Sequence, residues 1–233
     1  MKVANKEKRL FRFYGDVARS QNDDIIALIT GMKVLDVGCG YGNLIDQIRK
    51  TKQGVDVTGI DIDPESISKA KVLYSIDVKN SSVYSMCFPD DSFDTVILRD
   101  VVHHFEGDGR LNAALQEIRR VCSKELIIFD PNPNWVLKTC RKLIGHKDPE
   151  AQADKIAGLL RKAGFRVDHL KWRDVVASPL SGGYVGLEMV PNIGFIKRAV
   201  IGIDRWLNTL LAKFGLQRLI CWRYLIYARK ENP

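Results

Sequence analysis

Val34-Leu35-Asp36-Val37-Gly38-Cys39-Gly40-Tyr41-Gly42 is the stretch on which the reading of the fold turns. A short, largely apolar run leads straight into glycines at alternate positions. Such a run, bounded by a turn signal, reads as a strand buried on both faces. Glycine at 38, 40 and 42 permits a tight turn and close approach of a ligand to the backbone. Asn43–Lys50 follows as a helix, so the loop opens onto a helix N-terminus, a place where ligands meet backbone N–H groups. The dinucleotide fingerprint G-x-G-x-x-G would put its third glycine at position 43, where Asn43 stands, and that weakens a pyrophosphate role.

Outward from this stretch, strand and helix alternate. Val57–Ile60 is a strand ending at Asp61, and Pro64-Glu65 opens a helix with proline and an acid in its first turn. Thr95–Leu98, Leu126–Phe129, Arg166–Lys171 and Cys221–Ala228 read as strands. Leu111–Val121 and Ala153–Ala163 read as helices. Alternation of this kind predicts a parallel sheet with helices on both faces and a ligand site beyond the carboxyl ends of the strands. Asp61, Asp100 and Asp130 all fall at or near such ends. Residues 131–150 and 174–218 read as insertions on that rim.

The chain has 233 residues, 45% hydrophobic and 27% charged, which suits one globular domain able to bury a full core. Five cysteines without a C-x-x-C pair argue against a zinc ribbon or a secreted disulfide scaffold and fit a reducing, cytoplasmic setting. No apolar h-region follows the first charges, so no signal peptide is expected. No run reaches the roughly 18 apolar residues of a membrane span. The net charge of +8 permits a polyanionic partner or an anionic membrane face.

The glycine segment closely resembles the first motif of class I S-adenosylmethionine-dependent methyltransferases (D/E-x-G-x-G-x-G), of the type 11 and type 25 kinds. The resemblance runs from about residue 30 to 130 and more loosely beyond. It implies a Rossmann-like, doubly wound, seven-stranded, mostly parallel sheet with a helical rim insertion. Residues 1–233 then form one methyltransferase domain. Within it, 30–130 is the cofactor half, and 131–150 and 174–218 are acceptor-side or lid insertions. The implied cofactor is S-adenosyl-L-methionine, with S-adenosyl-L-homocysteine as product. Asp36, Gly38, Gly40 and Gly42 match the first motif position by position. Thr58-Gly59-Ile60-Asp61-Ile62-Asp63 is similar to the second, in which Asp61 accepts from ribose hydroxyls beside Ile62. Asp63 is favoured as a cap for the helix at Pro64. The third motif matches through Phe88-Pro89-Asp90-Asp91-Ser92-Phe93-Asp94, but Ser82 stands where an acid often meets the adenine amine, leaving Ser82 or the Val83 N–H for that contact.

Leu98-Arg99-Asp100-Val101-Val102-His103-His104 resembles the family's post-strand segment, which often ends in paired histidines beside the donor. A histidine supplies a base near neutral pH. His103 and His104 are the catalytic candidates, with Asp100 as orienting acid and a further cofactor contact. The alternative is one packed and one surface histidine. The same residues partly resemble the E-x-x-E-H metal segment of ubiquinone-pathway O-methyltransferases. Because histidine replaces the second acid, no metal is assigned. On the acceptor side the candidates are Asn132, Trp135 and Tyr184, against a reading of the asparagines as turn chemistry.

From Ile196 the apolar residues recur as Ile196, Ala199, Val200, Ile203, Leu207, Leu210, Leu211 and Phe214, widened by Phe195, Ile201 and Trp206. Lys197, Arg198, Arg205 and Lys213 decorate the rest. A wide apolar helix over 195–214 with a cationic flank reads either as a lid packed on the sheet or as an element at a membrane surface. Gly202 in its middle suggests close packing or a bend. The expected activity is methyl transfer to a small or lipid-linked acceptor, preferably to oxygen. C-methylation of an isoprenoid quinone precursor and a catalytically silent, partner-binding subunit are the competitors. No N/D-P-P-Y/F motif or RNA-binding module supports a nucleic-acid substrate. The sequence gives no expectation for the oligomeric state.

Overall fold

The computed structural model describes residues 12–107, 109–135, 137–139, 151–182 and 189–231. Helix α1 (Phe13–Leu28) leads into β1 (Lys33–Val37), α2 (Asn43–Thr51), β2 (Asp56–Asp61), α3 (Pro64–Tyr74) and β3 (Lys79–Asn80). Then come β4 (Phe93–Arg99), α4 (Val102–Gly107), α5 (Leu111–Val121), β5 (Cys122–Pro131), α6 (Ala153–Lys162) and β6 (Phe165–Arg173). Helices α7 (Ala177–Leu180), α8 (Gly194–Lys213) and α9 (Gln217–Ile220) precede β7 (Arg223–Lys230). The seven strands form one sheet in the order β3-β2-β1-β4-β5-β7-β6. The pairs β1–β2, β1–β4, β2–β3 and β4–β5 are parallel. The strand order reverses direction between β1 and β4, which is the switch point of a doubly wound sheet.

Side chains of a strand point alternately to its two faces, so a run of consecutive buried residues means that both faces are covered. Val34–Val37, Thr95–Leu98 and Glu125–Pro131 are such runs. Helix α5 follows the i, i+3, i+4 rule, burying Leu111, Ala114, Leu115, Ile118 and Val121. Asp63 caps α3 by accepting from the N–H groups of Glu65 and Ser66.

The chain divides into two compact units. The larger, Ile25–Pro131 with Asp148–Lys171 and Leu225–Pro233, carries the core built on Ile45, Ile48, Ile97, Ile127 and Phe129. The smaller comprises Met1–Asp24, Asn132–Lys147 and Trp172–Tyr224. Among the described residues it takes in most of both stretches read as insertions, together with 12–24. Its own cluster joins Phe13, Val17, Ala177 and Val190 to Ile196 and Val200. Of the two expectations for Gly202, close packing is not met: a Cβ there would meet nothing within 4 Å.

Glu125, 2% exposed, fastens the end of the larger unit at which β1 and β4 begin. Its carboxylate accepts from Thr30 N (2.8 Å), Thr30 Oγ1 (2.9 Å), Thr95 Oγ1 (2.5 Å) and Tyr227 Oη (2.9 Å). Removing a buried acceptor strands its donors at about 1–3 kcal/mol each. Glu125→Ala is therefore expected to lower the unfolding free energy by at least about 3 kcal/mol in urea titration, with the denaturant slope unchanged.

Candidate functional site

The site is set by strand register. Val37 pairs with Ile60 and with Leu98, and Arg99 pairs with Phe129. One residue further on, Gly38, Asp61 and Arg99 share a level, and Asp100 and Asp130 share the next. The glycine loop turns back over β2 at this level: Gly38 N and Cys39 N both donate to Ile60 O, at 2.8 and 3.1 Å. Gly40 N donates to Asp61 Oδ2 at 2.8 Å, and Asp63 N donates to Asp61 Oδ1 at 2.9 Å. A carboxylate has about four acceptor positions, so Asp61 retains capacity for ligand hydroxyls.

The glycines serve different ends. Gly38 (φ 68°) faces Val101, whose Cγ1 would lie 2.4 Å from an added Cβ. Gly42 (φ 81°) faces Ile76 in the same way. At Gly40 (φ 55°) an added Cβ would meet nothing within 4 Å, which leaves room beside the backbone. Cys39 between them is buried, and burial pushes its thiol well up, so it stays protonated and packs.

Asp36 is 2% exposed, and its carboxyl is pushed up to about 7. Burial is the main cause; Arg99 opposes it and Asp61 adds to it. A buried carboxyl held near neutrality beside an open glycine loop fits a ligand that brings a positive charge. On the far side of β2, Ser81 N donates to Asp61 O, which brings Ser82 and Val83 close to Asp61 and Ile62. Ser82 is half-buried and accepts from Tyr84 N, Val83 is buried, and Ile62 is exposed.

His103 is buried and faces Asp130, which is fully buried at the end of β5. Its Nδ1 lies 3.0 and 3.1 Å from the two carboxylate oxygens, and its backbone N–H donates to Asp130 Oδ2 at 3.1 Å. Asp130 accepts the Nδ1 proton, which leaves Nε2 as the basic nitrogen. His104 is exposed, its ring 4.1 Å from that of His103 between centroids. Asp100 adopts a left-handed conformation (φ 58°), and its N–H donates to Phe129 O. The pairing of His103 with Asp130 was not assigned from sequence; only the position of Asp130 at a strand end pointed to it. Among the described residues, no group of three or more His, Cys, Asp or Glu side chains is placed to hold a metal ion.

The acceptor-side candidates Asn132 and Trp135 belong to the smaller unit. Asn132 is buried, and its side-chain nitrogen donates to Arg218 O and Cys221 O at 2.9 and 2.8 Å. Asn134 does the same toward Ile220 O and Cys221 O. Both amides join two segments of the smaller unit through their side-chain nitrogens. Trp135 is 68% exposed. Tyr184 lies outside the described residues.

A methyltransferase domain family model matches residues 35–129. The O-methyltransferase resE of Aspergillus sclerotiorum is 34% identical over 62% of this chain and 58% of its own length. The O-methyltransferase rstn1 of Aspergillus nomiae is 31% identical over 61% and 68%. A ubiquinone biosynthesis O-methyltransferase of Cereibacter sphaeroides is 26% identical over 73% and 74%. The chain thus spans less than two thirds of resE. A solved methyltransferase structure from Archaeoglobus fulgidus covers 92% of this chain and 94% of its own at a TM-score of 0.66 and 18% identity, a likeness of fold.

The Asp36 shift sets a pH dependence. The folded state favours the neutral acid, so its contribution is full below the unfolded value near 4 and is lost as pH rises through about 7. In the ligand-free protein, Asp36→Asn is expected to remove about 1–4 kcal/mol of the decline in stability across that window, read by urea unfolding at stepped pH.

Proposed function

Because the chain belongs to the class I S-adenosylmethionine-dependent methyltransferases, we propose that it methylates a hydroxyl oxygen, with His103 as the base and Asp130 as its positioning residue. S-adenosylmethionine supplies a methyl group already activated on a sulfonium sulfur. What remains for the protein is to align the acceptor and to take its proton. Asp36, Gly38, Gly40 and Gly42 would hold the methionine end, Asp61 the ribose, and Ile62, Ser82 and Val83 the adenine. Asp100, one step past β4, would lie between donor and acceptor.

The observation that carries this reading is the two-oxygen contact of Asp130 with His103 Nδ1. It fixes one tautomer and stabilises the imidazolium that forms on proton uptake. Oxygen as the acceptor atom is supported by the O-methyltransferases among the relatives. A hydroxyl or phenol on an apolar or lipid-linked molecule is the acceptor class that we infer, on the breadth of apolar surface in the smaller unit.

Three variants test the assignment. Asp61→Ala should weaken S-adenosylmethionine binding about tenfold or more in calorimetric titration, by loss of charge-assisted hydrogen bonds. His103→Ala should lower kcat about 100-fold with donor affinity kept. Asp130→Asn should lower kcat and move the acid limb of the pH–rate profile down, since a carboxylate no longer favours the imidazolium. An unmoved acid limb would leave Asp130 a packing residue only.

A further inference from the structure

Helix α8 carries two apolar sectors, and only one of them packs. Ile196 and Val200 join the cluster of Phe13, Val17, Ala177 and Val190. On the same side Asp204, 3% exposed, accepts from the N–H groups of Val175, Val176 and Ala177 at 2.7–2.8 Å. Lys197 pairs with Asp16 there. Helical spacing places Phe195 and Trp206 on the opposite side, with Ala199 and Ile203 bordering the packed sector. Phe195, Ile203 and Trp206 are 67%, 53% and 63% exposed. Large apolar side chains exposed in this way call for an occupant.

Charge identifies the occupant. Between 194 and 220 the chain has Lys197, Arg198, Arg205, Lys213 and Arg218 but a single acid, Asp204, which is buried. Every exposed charge of the segment is therefore cationic. Arg198 and Arg205, seven residues apart, run along one border of the outward face. A second copy packed face to face about a two-fold axis would bring like-charged borders together. A bilayer with anionic headgroups meets both demands: the aromatic rings enter the headgroup–acyl boundary while the cations stay at the phosphates. Among the described residues no helix is long and apolar enough to cross a membrane, so α8 would lie along the surface.

We infer that the outward face of α8 seats the protein on an anionic lipid surface. The inference rests on α8 alone and stands apart from the assignment of His103 and Asp130. Its test is co-sedimentation of the full chain with phosphatidylcholine vesicles made with and without phosphatidylglycerol, beside calorimetry with S-adenosylmethionine. The expected result is partition onto the phosphatidylglycerol vesicles about tenfold or more above the neutral ones, reduced by salt. Phe195→Ser with Trp206→Ser, both at exposed positions, should abolish that preference with circular dichroism and donor affinity unchanged. Arg198→Glu with Lys213→Glu should bring partition down to the neutral-vesicle level. Absence of wild-type partition, or equal partition by the serine pair, would overturn the inference. So would a dimer that the serine pair dissolves, or binding to single-stranded RNA that displaces the vesicles.

Discussion

The hydrogen bond from Gly40 N–H to the Asp61 carboxylate ties the glycine loop to β2. The loop between β1 and α2 passes through three left-handed residues, a path that gains nothing from regular secondary structure. It is fixed instead by what it touches on β2: Ile60 O takes two of its N–H groups, and Asp61 takes the third. Asp61 can do this because parallel pairing sets it level with Gly38. The same residue that faces the ribose in the functional reading is thus part of the wall that shapes the glycine turn. Placement of Asp36, Asp100 and His103 follows from that register.

The two ends of the sheet have separate duties. At the carboxyl ends of the strands, buried acids stand beside a turn that leaves Gly40 open, and burial holds Asp36 near neutrality. At the other end, Glu125 is satisfied by hydroxyl and backbone donors drawn from the α1–β1 loop, β4 and β7. Asp94 works beside it, accepting from Met32 N and Lys33 N. Lys124 and those amides hold its carboxyl at about 2. The stretch Phe88–Asp94 that resembles a family motif is architectural in the same sense: Arg120 gathers the carbonyls of Met86 and Phe88 and the carboxylate of Asp90.

Much of this was legible because the signals are local. Apolar runs ending in glycine or aspartate mark β1 and β2, and the spacing of Leu111, Leu115 and Ile118 marks α5. Asp63 before Pro64 announces a cap. Helix α1 was not legible, because the stripe Phe13, Val17, Gln21, Ile25 has a glutamine at a buried position, satisfied by Asp174. β3 is two residues long and has no pattern to read. The contact of His103 with Asp130 spans 27 positions, so only the pairing of β4 with β5 reveals it. Asn132 looked like a ligand contact because a side-chain amide beyond a strand end suits either role. Two carbonyls of the 218–221 segment take its side-chain N–H groups, a contact that no local signal announces.

The strand order β5-β7-β6 has a consequence for how the chain reaches this state. β7, residues 223–230, follows β6 in the sequence yet lies between β6 and β5 in the sheet. When β6 leaves the ribosome it has no neighbour to pair with, and β5 presents an open edge. Both stay unpaired while some fifty further residues are made. Tyr227, on that late strand, also delivers the last hydroxyl to Glu125. The nascent protein thus carries unsatisfied strand edges on β5 and β6 over that interval, the condition in which chains pair wrongly with their neighbours. Completion of the sheet is an insertion, and a chaperone that shields β5 and β6 until β7 arrives would act on the interval that the topology makes unavoidable.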